Sequence, residues 1–304
     1  MSPFPAPVWG GPRRPYETGH APPDGPRLRS RRSSVTIGLL VECAVRTFSA
    51  SRTEHWIASS LMTFETQVSA REQGTAAKDV ATRIDHTLLR AEATQVEILR
   101  VCDEAVAYGF HAVCVNGRWV SFVADRLHET PVQVAGVVSL PLGADTTKIK
   151  AAQAKEAIHG GADEIDMVAD LAAIIEGDSR YLLDQLLTVM RVCRVMRPPV
   201  LLKVIIESAV LTHDQKVFAC QIAQQAGVDY VKTSTGFHPA GGATVEDVRL
   251  IKETAPRCRV KAAGGIKTAQ QAIAMLSAGA DRIGTSAGVA IIEEMREHDR
   301  GIHQ

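Results

Sequence analysis

The chain has 304 residues, and its 34 lysines and arginines balance 34 aspartates and glutamates to a formal charge of zero. A general nucleic-acid binder carries a basic excess, so that class is excluded, and no uncharged apolar stretch approaches the roughly 18–20 residues that a membrane span needs. Apolar residues at 45% with aromatics at only 5% call for a core of Ala, Val, Ile and Leu, and the length admits one large α/β barrel or two smaller domains.

The chain does not begin with a folding pattern. Eight of the 14 prolines fall in the first 30 residues, among Gly and Arg. Such a stretch buries too little apolar surface to offset its ordering entropy and reads as disordered. Ser30-Arg31-Arg32, followed by the apolar run over 35–45, is a loose match to a twin-arginine or general export signal, or to an Arg-rich transit peptide. Glu42 and Arg46 interrupt that run, which favours a solvated tail, or translated upstream sequence with Met62 as the true start. Residues 1–78 are therefore read as an N-terminal extension, mostly disordered or not native, and residues 79–304 as the folded domain.

From about residue 80, short β-branched runs alternate with longer segments of helical period. Strand-like runs lie at 83–88, 112–116, 133–139, 164–168, 200–207, 230–235, 259–263 and 282–284. Amphipathic stretches lie between them, at 94–107, 146–159, 181–196, 213–226, 244–254 and 268–277. Over 94–107 the apolar set Val96, Leu99, Val101, Ala105 and Val106 is close to helical spacing. Gly109, Gly160-Gly161, Gly227 and Gly279 mark helix C-caps before the next strand. A repeated Gly-(Ala/Val)-Asp at three of these joints is a weak echo of one βα unit, or chance. Eight strand signals at about 25 residues per unit match an α/β protein built as a (β/α)8 TIM barrel with short right-handed connections. A doubly wound open sheet usually needs fewer strands and a G-x-G-x-x-G turn, which the sequence lacks. A barrel places its chemistry at the C-terminal ends of its strands and in the loops that follow.

The informative charges inside these strand runs are Asp166, Lys203, Lys232 and Lys261. Asp166 lies between apolar neighbours in the run at 164–168; Lys203, Lys232 and Lys261 each interrupt one of the next three runs. Barrel strands are covered on both faces, and lysine is almost never buried without a partner. Lys203 alone reads equally as a structural partner of Asp166, but three lysines on consecutive strands point to one polar cluster in the barrel mouth. An amine attacks a carbonyl only when neutral, and a free lysine has a pKa of about 10.4. Burial and a neighbouring ammonium both disfavour the charge, so adjacent lysines depress one another and activate one as a Schiff-base nucleophile, with the carboxylate moving protons. Lys232 leads into Thr233-Ser234-Thr235-Gly236, Lys261 into Gly264-Gly265 with Thr268 as an N-cap, and the last strand into Gly284-Thr285-Ser286. Glycine loops and helix N-termini after strands 7 and 8 form a phosphate grip in this fold.

The sequence resembles the class I deoxyribose-phosphate aldolase family. The stretches that carry the likeness are Ile84-Asp85-His86-Thr87-Leu88-Leu89, Ala112-Val113-Cys114-Val115, Asp163-Glu164-Ile165-Asp166-Met167-Val168, Leu202-Lys203-Val204-Ile205-Ile206-Glu207, Val231-Lys232-Thr233-Ser234-Thr235-Gly236-Phe237, Lys261-Ala262-Ala263-Gly264-Gly265-Ile266 and Arg282-Ile283-Gly284-Thr285-Ser286. They run in family order from about residue 80 to 297. The resemblance implies reversible aldol cleavage of 2-deoxy-D-ribose 5-phosphate to D-glyceraldehyde 3-phosphate and acetaldehyde, in deoxyribonucleoside and carbohydrate catabolism. It implies Lys232 as the Schiff-base lysine, Lys261 as the neighbour that lowers its pKa and shuttles protons, and Asp166 as proton donor and acceptor. Lys203 and Asp85 take supporting polar positions. Gly236, Gly264, Gly265, Gly284 and Ser286 take phosphate-binding positions. No metal or cofactor is implied, the only partner is the sugar phosphate, and a homodimer is the family expectation.

Several features depart from the family pattern or stand beside it. The chain ends Gly301-Ile302-His303-Gln304, without the terminal tyrosine that reaches the site in some members, and Phe237 stands where some carry lysine, which shifts phosphate binding toward backbone donors. Cys114 reads as core filler rather than a reactive thiol, and His86 as a packing residue at least as readily as a catalytic one. Six cysteines lie far apart with no C-x-x-C pair, the pattern of reduced thiols in a cytoplasmic protein. The competing readings are another lysine-dependent aldolase or transaldolase, a barrel isomerase that uses only the phosphate grip, and a non-catalytic sugar-phosphate sensor.

Overall fold

The computed structural model describes residues 77–195 and 198–301. In chain order it forms β1 (Ile84–Leu88), α1 (Gln95–Tyr108), β2 (Ala112–Val115), α2 (Val120–Leu127), β3 (Gln133–Val138), α3 (Thr147–His159), β4 (Glu164–Val168), α4 (Leu171–Glu176) and α5 (Ser179–Val195). It continues with β5 (Leu201–Ile205), α6 (His213–Ala226), β6 (Tyr230–Lys232), α7 (Val245–Thr254), β7 (Arg259–Ala263), α8 (Ala269–Ser277), β8 (Arg282–Thr285) and α9 (Gly288–Gly301). Neighbouring strands are parallel throughout and β8 pairs with β1, so the sheet closes as the expected α/β TIM barrel. The extension called disordered lies outside the described residues apart from Ala77 and Lys78, which are helical along with residues 79–81. The export-signal and Met62 readings fall outside them as well.

Local chemistry explains most element boundaries. Capping boxes start α1 (Thr94 with Glu97), α6 (Thr212 with Gln215) and α8 (Thr268 with Gln271). Gly109 (φ 69°) and Gly227 (φ 74°) close α1 and α6 in the left-handed conformation that glycine adopts without a Cβ clash. The apolar set expected for α1 is corrected in part. The face turned to the barrel is Ile98, Val101, Cys102 and Ala105, while Val96 and Val106 are exposed. One position of phase separates the two sets, because both satisfy a 3.6-residue period. The amphipathic stretches read from the sequence do not include α2, α4 or α9.

The Gly-(Ala/Val)-Asp echo is one device used three times. Asp163 accepts the Val134 N–H, Asp229 the Leu202 N–H and Asp281 the Val260 N–H, each at 2.8 Å. Each aspartate, at the foot of one strand, thus satisfies an amide at the foot of the strand before it.

The large apolar core fills the layer between strands and helices, through residues such as Ile84, Ile165, Leu202, Val231 and Ile283. Inward-facing positions alternate with these. They divide the lumen into an apolar side, with Leu89, Cys114, Ala135 and Val137, and a charged side drawn from β1 and β4 to β8. Among the described residues no helix is long and apolar enough to cross a membrane.

Candidate active site

The strand charges converge. Asp166 and Lys203 are register partners on β4 and β5, and Lys232 and Lys261 are register partners on β6 and β7. Asp166 is buried and receives three ammonium groups: Lys203 Nζ donates to Oδ1 at 2.8 Å, and Lys232 Nζ and Lys261 Nζ donate to Oδ2 at 2.8 and 2.7 Å. Lys261 also pairs with Asp85, and Lys203 with Glu164 and, at 3.4 Å, with Asp85. Beneath them Arg282 bridges Asp85 (2.5 Å) and Glu164 (3.2 Å) and reaches the Tyr230 hydroxyl at 3.4 Å. Glu164 in turn faces the His111 Nε2 at 3.5 Å.

Four cations therefore meet three carboxylates, and the fully ionised cluster carries one surplus positive charge. Burial opposes ionisation of Asp166, yet Lys203, Lys232 and Lys261 hold its carboxyl well below the usual carboxylate range. Burial likewise opposes the charge on Asp85, which Lys261, Lys203 and Arg282 also hold well below that range. Glu164 is brought down to about 2: burial works against it, and Lys203 and the His111 hydrogen bond outweigh the burial. The expectation that adjacent lysines depress one another is corrected for two of the three. Burial disfavours the charge on Lys203 and Lys261, but Asp166, with Glu164 at Lys203 and Asp85 at both, raises each above the ordinary lysine value.

Lys232 alone of the three lysines ends on the wall of the mouth cavity, a space of about 360 Å³. All the glycines and the serine expected at a phosphate grip line that cavity: Gly236, Gly264, Gly265, Gly284 and Ser286. Gly264 holds φ 97°, and a Cβ on Gly242 would stand 2.2 Å from the Gly264 carbonyl oxygen, so the loops after β6 and β7 pack backbone to backbone. Gly284 has a second reason to lack a side chain, since a Cβ there would lie 3.0 Å from the Lys261 Cε. Thr268 caps α8 as expected, which sets that helix's N-terminus behind Gly264-Gly265.

Several contributors were not legible in the strand pattern. Glu164 and Arg282 open their strands, where a charge reads as a solvated end, yet both side chains are buried. Arg90 and Lys267 line the cavity; Arg90 pairs with Glu92 and Glu97, while Lys267 makes no ion pair among the described residues. Phe237 is half-exposed on the rim. His86 packs against Phe110 and bonds Glu104 on α1 at 2.7 Å, on the helix side of β1, away from the lumen. Cys114 does face the lumen, packed with Leu89, Ala135 and Val137, and burial pushes its thiol up. Among the described residues no three or more His, Cys, Asp and Glu side chains are arranged to hold a metal ion.

A buried carboxylate that shares its oxygens among three ammonium groups, one of them at the wall of a glycine-lined cavity, can accept and return a proton beside a carbonyl bound to that amine. Residues 79–294 match the family model described as DeoC/LacD family aldolase. A deoxyribose-phosphate aldolase of Thermococcus gammatolerans is 49% identical over 72% of this chain and 97% of its own length. One from Geobacillus is also 49% identical, over 71% of this chain and 95% of its own. The solved deoxyribose phosphate aldolase of Aeropyrum pernix, described as a unique tetramer, superimposes with a TM-score of 0.69 at 26% identity, covering 77% of this chain and 97% of that one.

Proposed function

Because this chain belongs to the DeoC/LacD family of aldolases, we propose that it is a deoxyribose-phosphate aldolase acting through a Schiff base on Lys232. It cleaves 2-deoxy-D-ribose 5-phosphate reversibly to D-glyceraldehyde 3-phosphate and acetaldehyde. The observation that carries the assignment of Lys232 is its position: it alone of the three clustered lysines lines the cavity, with its Nζ 2.8 Å from Asp166 Oδ2.

The reaction follows from that arrangement. Loss of one proton removes the surplus charge of the cluster and leaves a free amine to attack the substrate aldehyde carbon. The carbinolamine loses water, and the iminium that forms restores a positive charge beside Asp166. The C2–C3 bond then breaks; its electron pair moves toward the iminium nitrogen to give an enamine, and the C3 hydroxyl loses its proton as it becomes the aldehyde of glyceraldehyde 3-phosphate. At that moment Asp166 loses one of its three counter-charges, so its proton affinity rises as a base is needed. The same proton is then returned to the enamine carbon, and water releases acetaldehyde from Lys232. Lys261 hydrogen-bonds Asp166 on the oxygen shared with Lys232 and keeps that oxygen in place through the cycle. Proton removal and return thus balance within the cluster.

The phosphate end lies over Gly236, Gly264, Gly265, Gly284 and Ser286, with Lys267 and Arg90 adding positive charge at the rim. We take 79–304 as the catalytic domain and place the enzyme in the cytoplasm, which suits the five free, buried cysteines among the described residues, at 102, 114, 193, 220 and 258. Assembly as a homodimer remains the family expectation.

Borohydride reduction in the presence of acetaldehyde tests the reading. A reduced adduct on Lys232, found by peptide mass spectrometry, and loss of turnover in Lys232→Ala are the expected results. An adduct on Lys203 or Lys261, or no adduct, would overturn the assignment; a non-catalytic sensor would form none.

A further inference from the structure

Glu207 lies just past β5, outside the ion cluster, and its side chain is buried. Its backbone is left-handed, at φ 52° and ψ 57°, a conformation that L-residues with a Cβ rarely hold. Among the described residues no Lys, Arg or His nitrogen pairs with its carboxylate. It is committed instead to one residue: Thr235 donates its N–H to Oε1 and Oε2 at 3.2 and 3.3 Å, and its hydroxyl to Oε2 at 2.5 Å. The Thr235 hydroxyl oxygen accepts the Phe237 N–H at 3.1 Å. Its neighbour Ser208 takes hold of the same segment, donating its N–H to the Thr233 carbonyl at 2.8 Å. Thr235, Gly236 and Phe237 line the mouth cavity beside Lys232.

A buried carboxylate without a cation, on a strained backbone, is unfavourable on both counts. Both features serve one turn. Glu207 occupies the amide of Thr235, and Thr235 occupies that of Phe237, which leaves the Gly236 N–H as the one amide of the three without an acceptor among the described residues. We propose that Glu207 is a positioning residue that shapes the Thr235-Gly236-Phe237 turn into an anion-binding contact and so sets the preference of the enzyme for a phosphorylated substrate, while taking no part in chemistry at Lys232. This rests on reading the loops after β6, β7 and β8 as the phosphate grip.

The test compares wild type, Glu207→Gly and Glu207→Gln on 2-deoxyribose 5-phosphate and on 2-deoxyribose, with inorganic phosphate as inhibitor. Glycine tolerates the left-handed backbone, so Glu207→Gly removes the carboxylate without adding strain. In that variant kcat/KM for the phosphorylated sugar should fall at least about ten-fold, mainly through KM, while kcat/KM for 2-deoxyribose changes by less than about three-fold. Inorganic phosphate should inhibit it more weakly, and borohydride trapping of acetaldehyde on Lys232 should persist. Glu207→Gln retains an acceptor for the Thr235 hydroxyl and should recover part of the loss. Unchanged KM in Glu207→Gly would mean that only the backbone conformation matters, and an equal fall on both sugars would mean a general structural role; either overturns the proposal. A wild-type enzyme with no preference for the phosphorylated sugar would instead overturn the phosphate-grip reading, and the role of Glu207 with it.

Discussion

Asp166 holds three ammonium groups on two oxygens, and removing its charge separates what it does from where it sits. Asp166→Asn keeps the size of the side chain and one acceptor oxygen but cannot take up a proton at the pH of the assay. We expect kcat to fall on the order of 100-fold or more, the range for loss of a positioned acid–base group. Full activity in that variant would remove Asp166 from the proton-transfer role. Lys203 and Lys261 differ from Lys232 in how they are shared: each meets two or more carboxylates and lies away from the cavity wall. Glu164 and Arg282 show why the sequence under-reports such sites. Both stand at the first position of a strand, where pattern alone cannot tell a solvated end from a lumen floor.

At the scale of elements, three alternate joints, before β4, β6 and β8, use a strand-foot aspartate to satisfy an amide of the preceding strand. Asp281 adds a partly exposed pairing with Lys252, worth little by itself. Asp281→Ala should therefore act chiefly by leaving the Val260 N–H without its acceptor. The expected loss is about 1–3 kcal/mol in urea-denaturation experiments, with kcat little changed because neither Asp281 nor its partners Val260 and Lys252 line the mouth cavity. A loss below the error of extrapolation would mean that water replaces the carboxylate. The loops after β6 and β7 follow a different logic. They are set by glycine backbones in contact, Gly242 against Gly264, and neither a hydrophobic period nor a turn signal announces that approach.

For the whole molecule, the buried charges make stability depend on pH at both ends. Glu164 drops from 4.5 to about 2 on folding, so its contribution is present in full above about pH 4.5 and is lost as the pH falls through about 2. The acid limb of thermal stability should be shallower in Glu164→Gln than in wild type, and an unchanged limb would contradict the linkage. Lys150 behaves in the opposite sense. It is buried between the Val168 carbonyl (2.8 Å) and Gln185 Oε1 (3.0 Å), and burial pushes it from 10.5 down to about 8. The penalty for its charge is felt in full below about pH 8 and vanishes above about 10.5, so this group makes the protein more stable as the pH rises between them. Subtracting the pH–stability curve of Lys150→Met from that of wild type should isolate that rise from the titration of the buried thiols; a flat difference would exclude it.

Sequence by itself determined the alternation of strand and helix, the glycine and Thr268 caps and the clustering of Asp166, Lys203, Lys232 and Lys261, because period, capping and an isolated charge in an apolar run are local signals; the Gly-(Ala/Val)-Asp repeat took its meaning from the structure. The tertiary structure decided the rest. Closure of the barrel carries β8 against β1, so Arg282 meets Asp85 across 197 residues and Glu164 across 118. That closure assembles four cations and three carboxylates into one cluster, while the packing of neighbouring strands and their loops brings Lys232 rather than Lys203 or Lys261 to the cavity wall and turns the buried Glu207 onto Thr235. Those outcomes depend on distances between residues far apart in the chain, which no local pattern encodes.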